Sequence, residues 1–148
     1  MSDFPKAKIG GHIIEEVYIE PATDDRMELV GSSWVFPLEA LYQENEDHRK
    51  AKEKGGMTTS GGVDVSTDDS SQGKMGNAVT YLEMKPGGTT IKFAASPSVF
   101  VTLDQAAITA LSLEVADHVQ SCFAQQSDIA ELIANGTITT LEQVAAEW

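Results

Sequence analysis

His118 and Cys122 lie four residues apart, the spacing that brings an imidazole on one turn of a helix to a thiol on the next. Nucleophilic catalysis needs more than that. Cys122 falls within an apolar stripe, where burial raises a thiol pKa and keeps the group protonated, and no third residue is set by spacing to orient the histidine. The pair reads as a buried cysteine beside a surface histidine. Asp64, Asp68 and Asp69 offer oxygen ligands to a hard cation, but without the alternation, central glycine and distal glutamate of a calcium loop. Helix capping accounts for Asp68 and Asp69 more simply.

Other chemistries lack even a starting pair. Gly61-Gly62 and Gly87-Gly88 have neither the lysine–hydroxyl pair of a phosphate cradle nor dinucleotide-binding spacing. No serine sits in a nucleophile elbow. His12, His48 and His118 are too scattered for a zinc site. No catalytic, cofactor-binding or metal-ligating residue is assigned, no cofactor is expected, and an enzyme is not the expected class.

The elements around these residues are easier to read than any chemistry. Val63, Asp64 and Val65 alternate as a strand end, and Asp69 with Gln72 resembles a capping box opening a helix. Met75, Ala78, Val79 and Leu82 give that helix, 69–85, one apolar face, and Lys85-Pro86-Gly87-Gly88 stops it. Gly73 and Gly76 inside it predict a notch for close approach of a strand or helix. Thr89–Ala94 and Val99–Leu103 predict an antiparallel hairpin turned at Ser96-Pro97-Ser98. Met75, Val79 and Leu82 should pack across that hairpin.

Asp104 caps a long helix whose stripe is Ile108, Leu111, Val115, Val119, Cys122 and Phe123, extended by Ile129, Leu132 and Ile133. Unbroken from 104 to 134 it would span about 46 Å, although Ser127-Asp128 could start a new helix. Asn135-Gly136 is a stop. Thr139-x-x-Glu142 and Thr140-x-x-Gln143 are overlapping capping boxes for a short last helix.

Residues 1 to 36 read as β-rich, with strands at 12–20, 27–30 and 34–36 and a turn at Thr23-Asp24-Asp25. Pro37 opens a helix that is nearly all polar from Gln43 to Lys54, carrying Glu46/Lys50 and Arg49/Glu53 at i,i+4. A helix polar all round is expected to be solvated or to bridge modules. Met57 to Gly62 reads as a linker, placing a boundary between 1–54 and 55–148. The fold class is α+β: a β-rich N-terminal segment, a charged connecting helix, then strand–helix–hairpin–long helix–short helix.

With 148 residues and 41% hydrophobic content, the chain can build a real core. Its formal charge of −13 argues against a nucleic-acid or anionic-membrane partner. No Lys or Arg follows Lys92, so the last third presents either a solubilising face or a docking surface for a basic neighbour. The single Cys122 excludes an internal disulfide. Neither a signal peptide nor an apolar run of spanning length is evident, so a soluble protein made in a reducing cytoplasm is expected. Phe4 and Trp148 are apolar groups near the two ends that a docking partner would bury.

Several phrases occur in a familiar order. They are Arg49-Lys-Ala-Lys-Glu-Lys-Gly-Gly56, Gly62-Val-Asp-Val-Ser-Thr-Asp-Asp-Ser-Ser-Gln72, Ile91-Lys-Phe93, Val101-Thr-Leu-Asp104 and Ala134-Asn-Gly-Thr-Ile-Thr-Thr-Leu-Glu142. By these the chain from Arg49 to Trp148 resembles an uncharacterised domain family recurring at the C-terminal ends of bacteriophage tail-fibre, fibre-assembly and other tail-associated proteins. The long helix departs from that family in lacking basic and tryptophan positions often seen there. The family has no defined catalytic residues, so the resemblance carries none over. It implies a virion structural protein of the tail, synthesised in the host bacterial cytoplasm and contacting other tail or fibre proteins in several symmetric copies. A fibre-assembly chaperone not retained in the particle, and a small phage-encoded enzyme or host-defence antagonist, are the alternatives from other classes.

Overall fold

Short apolar runs separated in the sequence by acidic and glycine-containing stretches go with hairpins rather than long strands between His12 and Val35. The computed structural model describes residues 12–14 and 17–148. In it β1 (His12–Ile14) pairs antiparallel with β2 (Val17–Ile19), so the expected single strand at 12–20 is two short ones, its apolar run being divided in sequence by Glu15-Glu16. A second hairpin joins β3 (Glu28–Val30) to β4 (Ser33–Val35). Then come α1 (Leu38–Lys54), β5 (Met57–Thr58), β6 (Asp64–Val65), α2 (Asp69–Glu83), β7 (Ile91–Ser96), β8 (Val99–Leu103), α3 (Gln105–Ala134) and α4 (Leu141–Ala146). The class is α+β, and the expected strand–helix–hairpin–long helix–short helix order is present. Phe4 lies outside the described residues.

The residues gather into two compact units, one of 1–48 with 126–148, the other of 49–125. The chain passes between these units at 48/49 and again at 125/126. Both α1 and α3 contribute residues to each unit, and α3 runs unbroken through Ser127-Asp128 for 30 residues, about 45 Å.

In the unit of 49–125 the core is Val65, Met75, Leu82, Phe93, Ala95, Ile108 and Val115, with Val79, Leu103 and Leu111 packed on it. α2 thus lies against the β7–β8 hairpin through Met75, Val79 and Leu82, as its periodicity predicts, and the first part of α3 completes the layer. Asp104 caps α3 by accepting from Ala107 N at 2.8 Å. The segment expected as a linker is itself a hairpin. β5 pairs antiparallel with β6, Thr59 N donates to Val63 O at 2.8 Å, and Ser60 fastens the loop to Glu114 through its N and Oγ. Small residues are required there by a tight return, which imitates linker composition. Gly56 stands at φ +91°, and a Cβ would meet Val65 O at 3.2 Å.

In the unit of 1–48 and 126–148 the core is Leu41, Ile129, Ile133, Ile138, Leu141 and Val144, with Phe36, Leu132 and Trp148 against it. Gly136 ends α3 in the left-handed conformation (φ +80°), and Ile138 N reaches back to Leu132 O at 3.0 Å. Of the two overlapping capping boxes, Thr140/Gln143 opens α4. Trp148, expected as a free anchor for a partner, is instead half-buried on this core. Its indole N–H donates to Asn45 Oδ1 at 3.0 Å.

Of the two alternatives expected for α1, solvated all round or bridging modules, the first is corrected. Asn45, Arg49 and Glu53 recur at four-residue spacing and are buried. Asn45 Nδ2 also donates to Gln126 O at 2.9 Å. Arg49 pairs with Glu53 and lies 4.3 Å over the Phe123 ring centroid. Charge is buried here because it is matched at the i,i+4 spacing already visible in the sequence.

Candidate binding groove

A concavity of about 820 Å³ forms an open groove in the unit of 49–125, between one face of α2 and the edge of β7. Its geometry begins at Thr67. This fully buried residue donates through Oγ1 to Glu53 O at 2.5 Å and accepts there from Gly56 N at 2.9 Å. With Thr67 fixed, Asp68 rather than the expected Asp69 becomes the N-cap of α2, accepting from Ser71 N at 2.8 Å. Gln72 reaches Thr67 O at 2.7 Å. The Ser71 amide, chiefly, holds the Asp68 carboxyl below its ordinary value.

Helical periodicity then separates two faces of α2. Met75 and Leu82 turn into the core, while Ser71, Lys74, Ala78 and Tyr81 line the groove. Across from them runs β7, whose period of two sends Phe93 and Ala95 inward and leaves Lys92 and Ala94 exposed, opposite Thr102 and Phe100 of β8. Lys92 Nζ donates to Thr102 Oγ1 at 2.6 Å.

One edge of β7 is paired with β8. On the other edge Ser66 N, just after β6, donates to Ala95 O at 2.9 Å beside a register shift at Ala94/Ser96. Among the described residues no strand pairs with Ile91–Ala94 on that side, and all four line the groove.

The groove also gathers positive charge. Lys74, Lys85 and Lys92 are the only basic residues from 55 to 148. Lys74 and Lys92 line it, and Lys85 Nζ stands 5.1 Å from the centroid of the Tyr81 ring, itself part of the lining. Asp68 is the one carboxylate in that lining, and its oxygens are engaged by Ser71 N and Oγ. Exposed apolar groups neighbour two of the lining residues: Phe100, opposite Ala94 on β8, is 65% exposed, and Met84, three residues beyond Tyr81, is 80% exposed.

Apart from Asp68, the residues singled out for chemistry are placed elsewhere. Cys122 is fully buried, which pushes its thiol pKa up, and His118 Nε2 lies 3.2 Å from Lys52 O. Asp64 accepts from Thr58 Oγ1, and Asp69 pairs with Lys54 at 2.8 Å, so the three aspartates serve separate local bonds. His48 stacks with Trp148 at 6.5 Å in the other unit. Among the described residues no group of three His, Cys, Asp or Glu side chains could hold a metal ion. The expected notch is also absent: a Cβ at Gly73 or Gly76 would meet nothing within 4 Å, since both glycines face away from the packed side of α2. Sequence reasoning overlooked Lys74, Tyr81, Lys85 and Lys92 as a group. Their signal was the scarcity of bases after residue 54.

What is built is an α+β domain of hairpins and helices with a strand edge open beside a helix. The family model described as Domain of unknown function (DUF4376) matches residues 38–147, and the chain belongs to this family. The match begins with α1, earlier than the resemblance noted from Arg49. No curated protein and no solved structure matches the chain. No helix among the described residues is long and apolar enough to cross a membrane.

Proposed function

We propose that this protein is a structural component of a bacteriophage virion, a tail or tail-fibre-associated part that mediates assembly or fibre attachment by contact with neighbouring proteins. The observation that carries the reading is the groove itself, where the exposed Tyr81 stands across from a strand edge left open among the described residues, with Met84 exposed three residues beyond it. Large apolar groups left in water next to unpaired backbone are a common feature of protein contact sites. The phage setting rests on the resemblance of residues 49–148 to tail-associated proteins. In this reading the chain acts by binding, in several copies, with other tail or fibre proteins as its partners.

Deletion of the gene, followed by mass spectrometry of purified particles, tests it. Wild-type particles should contain the protein in stoichiometric amounts, and the deletion should yield particles defective in fibres or tail. Complete, infectious particles of unchanged composition would overturn the proposal. Fibreless particles from a lysate whose normal virions exclude the protein would assign it instead to fibre-assembly chaperones.

A further inference from the structure

The chain already shows what the open edge of β7 accepts. Val63-Asp64-Val65-Ser66, an acidic residue between two valines, runs beside the C-terminal end of β7 and bonds to it through Ser66 N and Ala95 O. From Ile91 to Ala94 the same edge is open to the groove over roughly 13 Å, the length of a four-residue strand.

We propose that the groove binds an extended acidic segment of a partner protein, added as a further strand along Ile91–Ala94 beneath α2. The inference rests on reading this surface as a protein contact site. Three features select the occupant. An unpaired strand edge supplies backbone donors and acceptors, which an extended chain satisfies and a helix does not. Ala78 and Tyr81 offer contact to apolar side chains turned toward α2. All three cations of residues 55–148 stand around this groove in a chain of net charge −13, so carboxylates find their complement here. Lys92 lies on the exposed face of β7. Thr102 flanks it on the β8 side, and an acidic residue of the added strand would flank it on the other.

The test uses the full chain and a fluorescein-labelled hexapeptide alternating valine and aspartate. Saturable binding is expected, weakened about tenfold or more by Lys74→Glu with Lys92→Glu, and weakened by raising salt from about 50 to about 500 mM. Both lysines are exposed, and a thermal melt matching wild type confirms that the double variant is folded. A peptide with alternate amides N-methylated keeps its charge but loses strand donors, and should bind about tenfold more weakly or worse. Equal binding of the methylated peptide would overturn strand addition. Equal binding of a valine–lysine peptide, or of a single-stranded oligonucleotide of the same charge, would overturn acidic-peptide selectivity. The absence of saturable binding to the wild type would overturn both. Particle composition does not depend on this assay, so a chain present in virions that ignores the peptide loses this inference alone.

Discussion

The indole of Trp148 donates to Asn45 Oδ1 at 3.0 Å, joining the last residue of the sequence to the middle of α1. Asn45 also spends its amide on Gln126 O at 2.9 Å, so one buried side chain serves two partners. Asn45→Ala should cost about 1–3 kcal/mol by removing both bonds that this buried side chain makes. Trp148→Phe should cost a comparable amount. In a double-mutant cycle the two losses should be non-additive, because they remove one shared bond. Urea denaturation of the four proteins measures the coupling, and strict additivity would show that the bond contributes nothing.

Arg49 and Glu53 are buried together, and among the described residues Arg49 Nε has no hydrogen-bond partner. Removing one charge is therefore worse than removing both. Glu53→Ala should destabilise by about 3–5 kcal/mol, whereas Arg49→Met with Glu53→Leu should be near neutral. Equal losses from the single and double changes in chemical denaturation would contradict this account.

A Cβ at Gly76 projects into open space on a regular helix. Gly76→Ala should stabilise the protein by roughly 0.5–1 kcal/mol, chiefly by restricting the unfolded chain. The denaturation midpoint should rise with an unchanged slope. A lower midpoint would restore the close packing that the sequence suggested.

Glu114 accepts from Ser60 Oγ at 2.6 Å and Ser60 N at 2.9 Å, and these bonds hold its carboxyl below the ordinary value of 4.5. A depressed carboxylate contributes stability that is fully present above its unfolded pKa and is lost as pH falls through the folded one. Glu114→Gln should accordingly lower Tm most near neutral pH, with the gap to wild type closing below pH 4.5. Melting curves from about pH 7 to about pH 3 decide the matter, and a gap independent of pH would mean the charge is irrelevant.

Elements with one apolar face were legible because periodicity records which side is dry. Met75, Val79 and Leu82 announce the packed side of α2, and Ile108, Val115, Cys122, Ile129 and Ile133 that of α3. Polar burial was not legible. Asn45, Arg49 and Glu53 have the helical spacing of a core stripe, but hydropathy assigns them to water because their mutual satisfaction is a fact of three dimensions. The glycines misled for a related reason: composition shows that Gly76 lacks a side chain, not whether anything approaches it. The groove was missed because an open strand edge is defined by a missing neighbour, which no local pattern encodes.

The unit that contains Leu41 is discontinuous along the chain, since Phe36 and Leu41 pack with residues of 126–148. On the ribosome this imposes an order. The segment 49–125 has all its core residues once Gln125 has emerged, while Leu41 waits for Ile133, Leu141 and Val144. At about 5–20 residues per second, that last stretch takes roughly 1–5 s to make. A message broken in this interval would leave a chain with a closed middle and with Phe36 and Leu41 still in water. Such a product is a ready substrate for proteases, so the arrival of Ile133, Leu141 and Val144 is what takes Leu41 out of their reach.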